Sequence, residues 1–81
     1  MNKERRAELA EVLNPLDEAT DLIQDIISEE QDTFDDLSPG LQAGKTGDSI
    51  QMSINSLECI VNDVEKVKDK ITELAKLHKK R

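Results

Sequence analysis

Aromatic side chains are almost missing from this chain of 81 residues: Phe34 stands alone, with no Trp and no Tyr. A core without aromatics has to be assembled from Leu, Ile, Val and Ala, which suits helix-on-helix packing better than a small β-sandwich. One cysteine, Cys59, excludes an internal disulfide and any cysteine-rich zinc site. Prolines and glycines are scarce, and Pro39, Gly40, Gly44 and Gly47 crowd into one stretch, leaving Pro15 as the only other punctuation. That spacing predicts long helices and little else. There is no signal peptide and no apolar run near the ~20 residues of a membrane span, so the expected location is the cytoplasm.

What is present is a helical repeat of apolar residues. From Lys3 to Asp36 they fall at Leu9, Val12, Leu13, Leu16, Ala19, Leu22, Ile23, Ile26, Ile27 and Phe34, mostly three and four apart. Period-two alternation, the mark of a strand, never occurs. Asn2 is positioned as an N-cap, although Arg5 occupies the place of the glutamate in a capping box. Pro15 admits two readings. In one, Asn14 caps a new helix that begins at the proline. In the other, a single helix 3–36 carries a kink, because proline removes a hydrogen bond and crowds the Glu11 carbonyl. The apolar phase continues across Pro15, which favours the kink.

Residues 37–47 read as a connecting link, with Ser38 and Pro39 opening one helical turn and Leu41 tucked beneath the end of the two helices. Gly44 and Gly47 read as a flexible exit, and Thr46 or Asp48 as the cap of a second helix over 49–79. The stripe of that helix is Ile50, Ile54, Leu57, Ile60, Val61, Val64, Val67, Ile71 and Leu74. Two helices of similar length joined by a short link predict one all-α domain, an antiparallel two-helix hairpin.

A lone hairpin buries only one seam. Ordering each residue costs roughly 1.5 kcal/mol, which so thin a core hardly offsets. Self-association into a homodimeric four-helix bundle of coiled-coil type is therefore expected. The expected core is Leu9, Leu13, Leu16, Ile23, Ile27 and Phe34 from the first helix, with Ile50, Ile54, Leu57, Val61, Val64, Ile71 and Leu74 from the second. Met52, Cys59 and Leu77 fall near one line on the outer side of the second helix and form a candidate second contact strip.

Charge is segregated. Eleven carboxylates and no Lys or Arg lie between Ala7 and Gly44, within a net charge of −7. Basic residues gather near the two chain ends, from Lys3, Arg5 and Arg6 to Lys76, Lys79, Lys80 and Arg81. Folded back, the chain has one basic tip and one acidic tip, the latter bearing Glu29, Glu30, Asp32, Asp35 and Asp36. A basic protein surface is the natural partner of that tip, and nucleic acid is a poor one for the molecule as a whole.

Catalytic chemistry finds no support. Cys59 has no evident base or oxyanion donor near it in sequence, so an enzyme is not expected. Glu-x-x-His pairs are missing, His78 is the single histidine, and Asp32, Asp35 and Asp36 lack calcium-loop spacing, so neither metal nor cofactor is expected. Gly44-Lys45-Thr46 mimics part of a phosphate loop. Pro39 stands where the earlier glycine belongs, and a helix precedes it instead of a strand.

Several segments give the chain a family flavour: the basic start Met1-Asn2-Lys3-Glu4-Arg5-Arg6, the helix end Glu29-Glu30-Gln31-Asp32-Thr33-Phe34-Asp35, the link Pro39-Gly40-Leu41-Gln42, and the helix around Leu57-Glu58. Through these it resembles small uncharacterised acidic helical proteins of bacteriophages and prophages. The resemblance implies a bacterial host cell and an accessory protein that acts by protein–protein contact, inhibiting a defence or nucleic-acid-handling protein of the host through its acidic surface. The rival expectations are a homo-oligomeric assembly module without a host target, and a nucleic-acid binder using the basic tip.

Overall fold

A computed structural model describes residues 1–76, and among them all regular structure is helical. Four helices follow in order: α1 (Lys3–Glu11), α2 (Leu13–Asp35), α3 (Pro39–Ala43) and α4 (Lys45–Lys76). The expected continuation to residue 79, with Leu77, His78, Lys79, Lys80 and Arg81, lies outside the described residues.

Asn2 caps α1 as its sequence suggests, its Oδ1 accepting from the Arg5 N–H at 2.8 Å. Between α1 and α2 only Val12 leaves the helical pattern, and its backbone stays right-handed helical, at φ −61° and ψ −24°. Pro15 has no N–H to offer the Glu11 carbonyl, while the Leu16 N–H still reaches the Val12 carbonyl at 3.3 Å. The single helix 3–36 expected from the sequence is instead divided at Val12, whose N–H bonds to the Leu9 carbonyl at 3.0 Å in a tightened turn, and Asn14 sits inside α2 without capping it.

The link is tighter than the sequence suggests. Ser38 is extended and Pro39 takes the first position of α3. Leu41 does not tuck beneath the helices, since half of it remains exposed. Gln42 fills that role instead, its Nε2 donating to the Phe34 carbonyl at 3.0 Å and satisfying an end group of α2. The second long helix begins at Lys45 instead of residue 49, so Thr46, Gly47 and Asp48 belong to its first turn and do not form an exit or a cap. The Gly44 carbonyl accepts its first helical bond, from the Asp48 N–H at 3.0 Å. Gly47 is buried because α3 crosses it: a Cβ there would lie 2.6 Å from the Gln42 carbonyl carbon and 2.8 Å from its Cα. Absence of a side chain lets the link close at that point.

α4 packs against α1, α2 and α3. The Cα envelope measures 60 × 16 × 14 Å, with a radius of gyration of 18.3 Å. A compact domain of this length would have a radius near 12 Å. The shape is a rod two helices thick, and two helix axes about 10 Å apart account for its cross-section.

Burial obeys a strict rule. Through residue 37, the residues at least partly buried are Arg6, Leu9, Leu13, Leu16, Thr20, Ile23, Ile27, Glu30, Phe34 and Leu37, alternating three and four apart. On α4 the same alternation runs through Gly47, Ile50, Ile54, Leu57, Val61, Val64, Lys68, Ile71 and Ala75, joined by Gln51 and Thr72 at the edge. This is the heptad pattern of coiled-coil packing. Among the described residues only Ile54 and Val61 are buried apolar side chains, at 5% and 8% exposure, with Thr20 the one buried polar side chain. Its hydroxyl donates to the Leu16 carbonyl at 2.9 Å.

Candidate functional site: an uncovered apolar face

The two sides of the seam differ in chemistry. Each helix has two buried columns, one containing Leu13, Thr20 and Ile27 or Ile54, Val61 and Lys68, the other containing Leu9, Leu16 and Ile23 or Leu57, Val64 and Ile71. Residues three after this second column are Val12, Ala19 and Ile26 on the first rod, and Ile60, Val67 and Leu74 on α4. All six are exposed. Leu16, Ile60, Asp63, Val64 and Val67 line one shallow groove of about 210 Å³. Because that groove holds the second column of both helices, both exposed lines flank the same side of the rod.

Leu22, 65% exposed and one turn before Ile26, extends this face at its edge. The opposite flank carries Ala10, Asp17, Gln24 and Gln31 with Gln51, Glu58, Glu65 and Thr72, and is polar. There Lys68, 15% exposed in its side chain, donates to Asp17 Oδ1 at 2.7 Å and approaches Glu65 Oε2 at 3.0 Å. The Asp17 hydrogen bond, then that of Glu65, hold the Lys68 ammonium above its ordinary range.

No protein-family model, curated protein or solved structure matches this chain.

The residues expected as oligomer core divide into three groups. Ile54 and Val61 are buried between the helices; Leu9, Leu13, Leu16, Ile23, Ile27, Phe34, Ile50, Leu57, Val64 and Ile71 are half-buried along the same seam; Leu74 is exposed on the uncovered face. The acidic-tip residues do not share one surface. Glu29, Asp32, Asp35 and Asp36 are exposed, whereas Glu30 turns into the seam. Asp35 accepts from Gln31 Nε2 at 3.0 Å. Met52 and Cys59 are exposed on the outer side of α4, seven residues apart, and Leu77 lies outside the described residues.

Sequence reasoning passed over Arg6, Thr20, Glu30, Gly47 and Lys68, which complete the seam without being aliphatic. A strict count of threes and fours from Leu13 and Ile54 would have placed each of them. Among the described residues no group of three or more His, Cys, Asp or Glu is placed to hold a metal ion. No described helix is long and apolar enough to cross a membrane.

Proposed function

We propose that this chain is a non-enzymatic association module: an antiparallel helical hairpin that works by covering its apolar side with another protein surface, four helices being completed when two hairpins meet. The observation that carries this reading is the alignment of Val12, Ala19 and Ile26 with Ile60, Val67 and Leu74 on one side of the seam, opposite a polar flank. The chain's accessible area of 6030 Å² supports it, since a compact monomer of 9.1 kDa exposes about 4,900 Å². An apolar strip this long on a small soluble protein marks a contact surface. Sedimentation of the tagged chain, alone and in bacterial extract, tests it. Mass above that of the single chain in at least one setting, lost in Ile60→Glu/Val67→Glu, is expected. A 9.1 kDa particle in both settings refutes the proposal.

A second reading has its own support. Asp32, Asp35 and Asp36 stand at the C-terminal end of α2, where no basic residue accompanies them. Carboxylates there oppose the helix dipole, at a cost of about 0.3–1 kcal/mol each. Charge held against local stability suits a tip that docks on a basic protein surface, as an inhibitor of a basic host protein would. Reversal of all three to Lys should then stabilise the fold while abolishing capture of such a partner. Unchanged capture removes the tip reading.

A further inference from the structure

We infer that the occupant of the apolar face is a second copy of this chain, reversed end for end about a two-fold axis that crosses Ala19 and Val67. This rests on the contact-module reading above and names its partner.

The Asp17–Lys68 ion pair joins the two helices close to Ala19 on one and Val67 on the other. Both exposed lines are symmetric about these two residues. Val12 and Ile26 lie seven residues either side of Ala19, and Ile60 and Leu74 lie seven either side of Val67. Reversing a copy therefore lays Val12 on Ile26 and Ile60 on Leu74, with the small Ala19 and Val67 meeting their own copies at the axis. Reversal keeps apolar residues on apolar residues along both lines.

The edges agree. On the α4 side, reversal sets Asp63 beside Lys70 of the other copy, twice over. On the α2 side, Leu22 meets Leu16 and Pro15, which gives its exposed side chain an apolar neighbour. In the alternative two-fold, with the axis along the rod, α2 would lie over α4, pairing Leu22 with Asp63 and Pro15 with Lys70. Apolar groups would then cover charges, which is unfavourable. The rod's ends agree too, because reversal brings Lys3, Arg5 and Arg6 of one copy to the end carrying Asp32, Asp35 and Asp36 of the other.

The area is sufficient. On the α2 side the rod from Lys3 to Asp35 is centred on Ala19, so reversed copies overlap along about 50 Å at 1.5 Å per residue; on the α4 side the described helix ends at Lys76, so the overlap about Val67 covers 58–76, about 28 Å. One helix width along each stretch offers ~600 Å² per copy, on the order of 1,200 Å² in total, the lower end of the range for a stable interface.

Two sets of variants test the arrangement. Asp63 and Lys70 are seven residues apart and exposed, so neither supports the single chain's fold. Asp63→Lys and Lys70→Glu should each raise the dimer dissociation constant about tenfold, two pairs being turned repulsive at once. The double variant should return to near the wild-type value. In a Cys59→Ser background, Ala19→Cys should oxidise to a covalent dimer and Thr33→Cys, on the same line but far from the axis, should not. A pure chain that stays monomeric at hundreds of micromolar overturns the inference, as does a dimer whose double variant sums the two losses or whose Ala19→Cys form fails to cross-link. Assembly in extract by a chain that is monomeric when pure would leave the contact-module reading intact and remove only the second copy.

Discussion

Lys68 on α4 donates to Asp17 on α2 at 2.7 Å across 51 residues of sequence, and this contact registers the two helices on the polar flank. Lys68 occupies a column otherwise filled by Gly47, Ile54, Val61 and Ala75. The ammonium is thus drawn out of an apolar seam by the carboxylates at its edge, while its methylenes cover the seam.

The titration of Lys68 follows from that position. Its folded value is raised above the ordinary 10.5 by Asp17 and then Glu65. A raised ammonium contributes stability that is fully present below the unfolded value and is lost as pH climbs through the folded one. The stability difference between wild type and Lys68→Met should accordingly stay level from neutral pH to about 10 and change only above 10.5. Urea midpoints at a series of alkaline pH values check this. A difference that drifts between pH 6 and 9 would contradict the assignment.

Gly47 and Gly40 make a matched pair. A Cβ on Gly47 meets the Gln42 backbone, including its carbonyl oxygen, whereas one on Gly40 meets nothing within 4 Å. Neither glycine has a positive φ. Gly47→Ala should destabilise by about 1–3 kcal/mol, because α3 must move off α4. Gly40→Ala should stabilise by about 0.4–1 kcal/mol through reduced freedom of the unfolded chain. Thermal melts should shift in opposite directions, by about 4–8 °C per kcal/mol at this size.

The all-helical architecture was legible because Leu, Ile and Val repeat at threes and fours without a break of phase, even across Pro15. The division of those residues between seam and surface was not. An apolar list from Leu9 to Phe34 treats Val12, Ala19, Leu22 and Ile26 as equal to Leu16 and Ile23, although the helix turns them to different sides. The missing information sat in polar residues. Thr20, Glu30 and Lys68 hold seam positions that hydrophobicity cannot see, and counting through them separates buried columns from the exposed line. The start of α4 at Lys45 departs from the sequence expectation for a related reason. Gly47 looks like a flexible hinge in sequence, but α3 requires a bare helical position there.

Thr20 offers a test of the seam itself. Its hydroxyl is satisfied only by the Leu16 carbonyl of its own helix, a group that also serves the backbone. Thr20→Val removes the hydroxyl and keeps the shape, so no partner is left buried and unpaired. A gain of about 0.5–1 kcal/mol is expected on that account. Denaturant unfolding would show it as a higher midpoint at unchanged slope. A loss of stability would place an unseen acceptor beside Thr20.

Pro15 sets two effects against each other. Alanine there would supply the N–H that the Glu11 carbonyl lacks, relieving a defect that costs up to ~3 kcal/mol in a free helix. It would also loosen the unfolded chain, which returns about 0.4–1 kcal/mol to the unfolded state. The backbone at Val12 is already helical and the Leu16–Val12 bond is intact, so the chain needs little movement to accept the new bond. The hydrogen bond should win, and Pro15→Ala should stabilise by about 1–2 kcal/mol. Pro15 also borders the uncovered face beside Leu22. If reversed copies meet there, the same variant should weaken dimerisation slightly even as the single chain melts later. Melting at two protein concentrations separates the two effects, since only the dimer's transition moves with concentration.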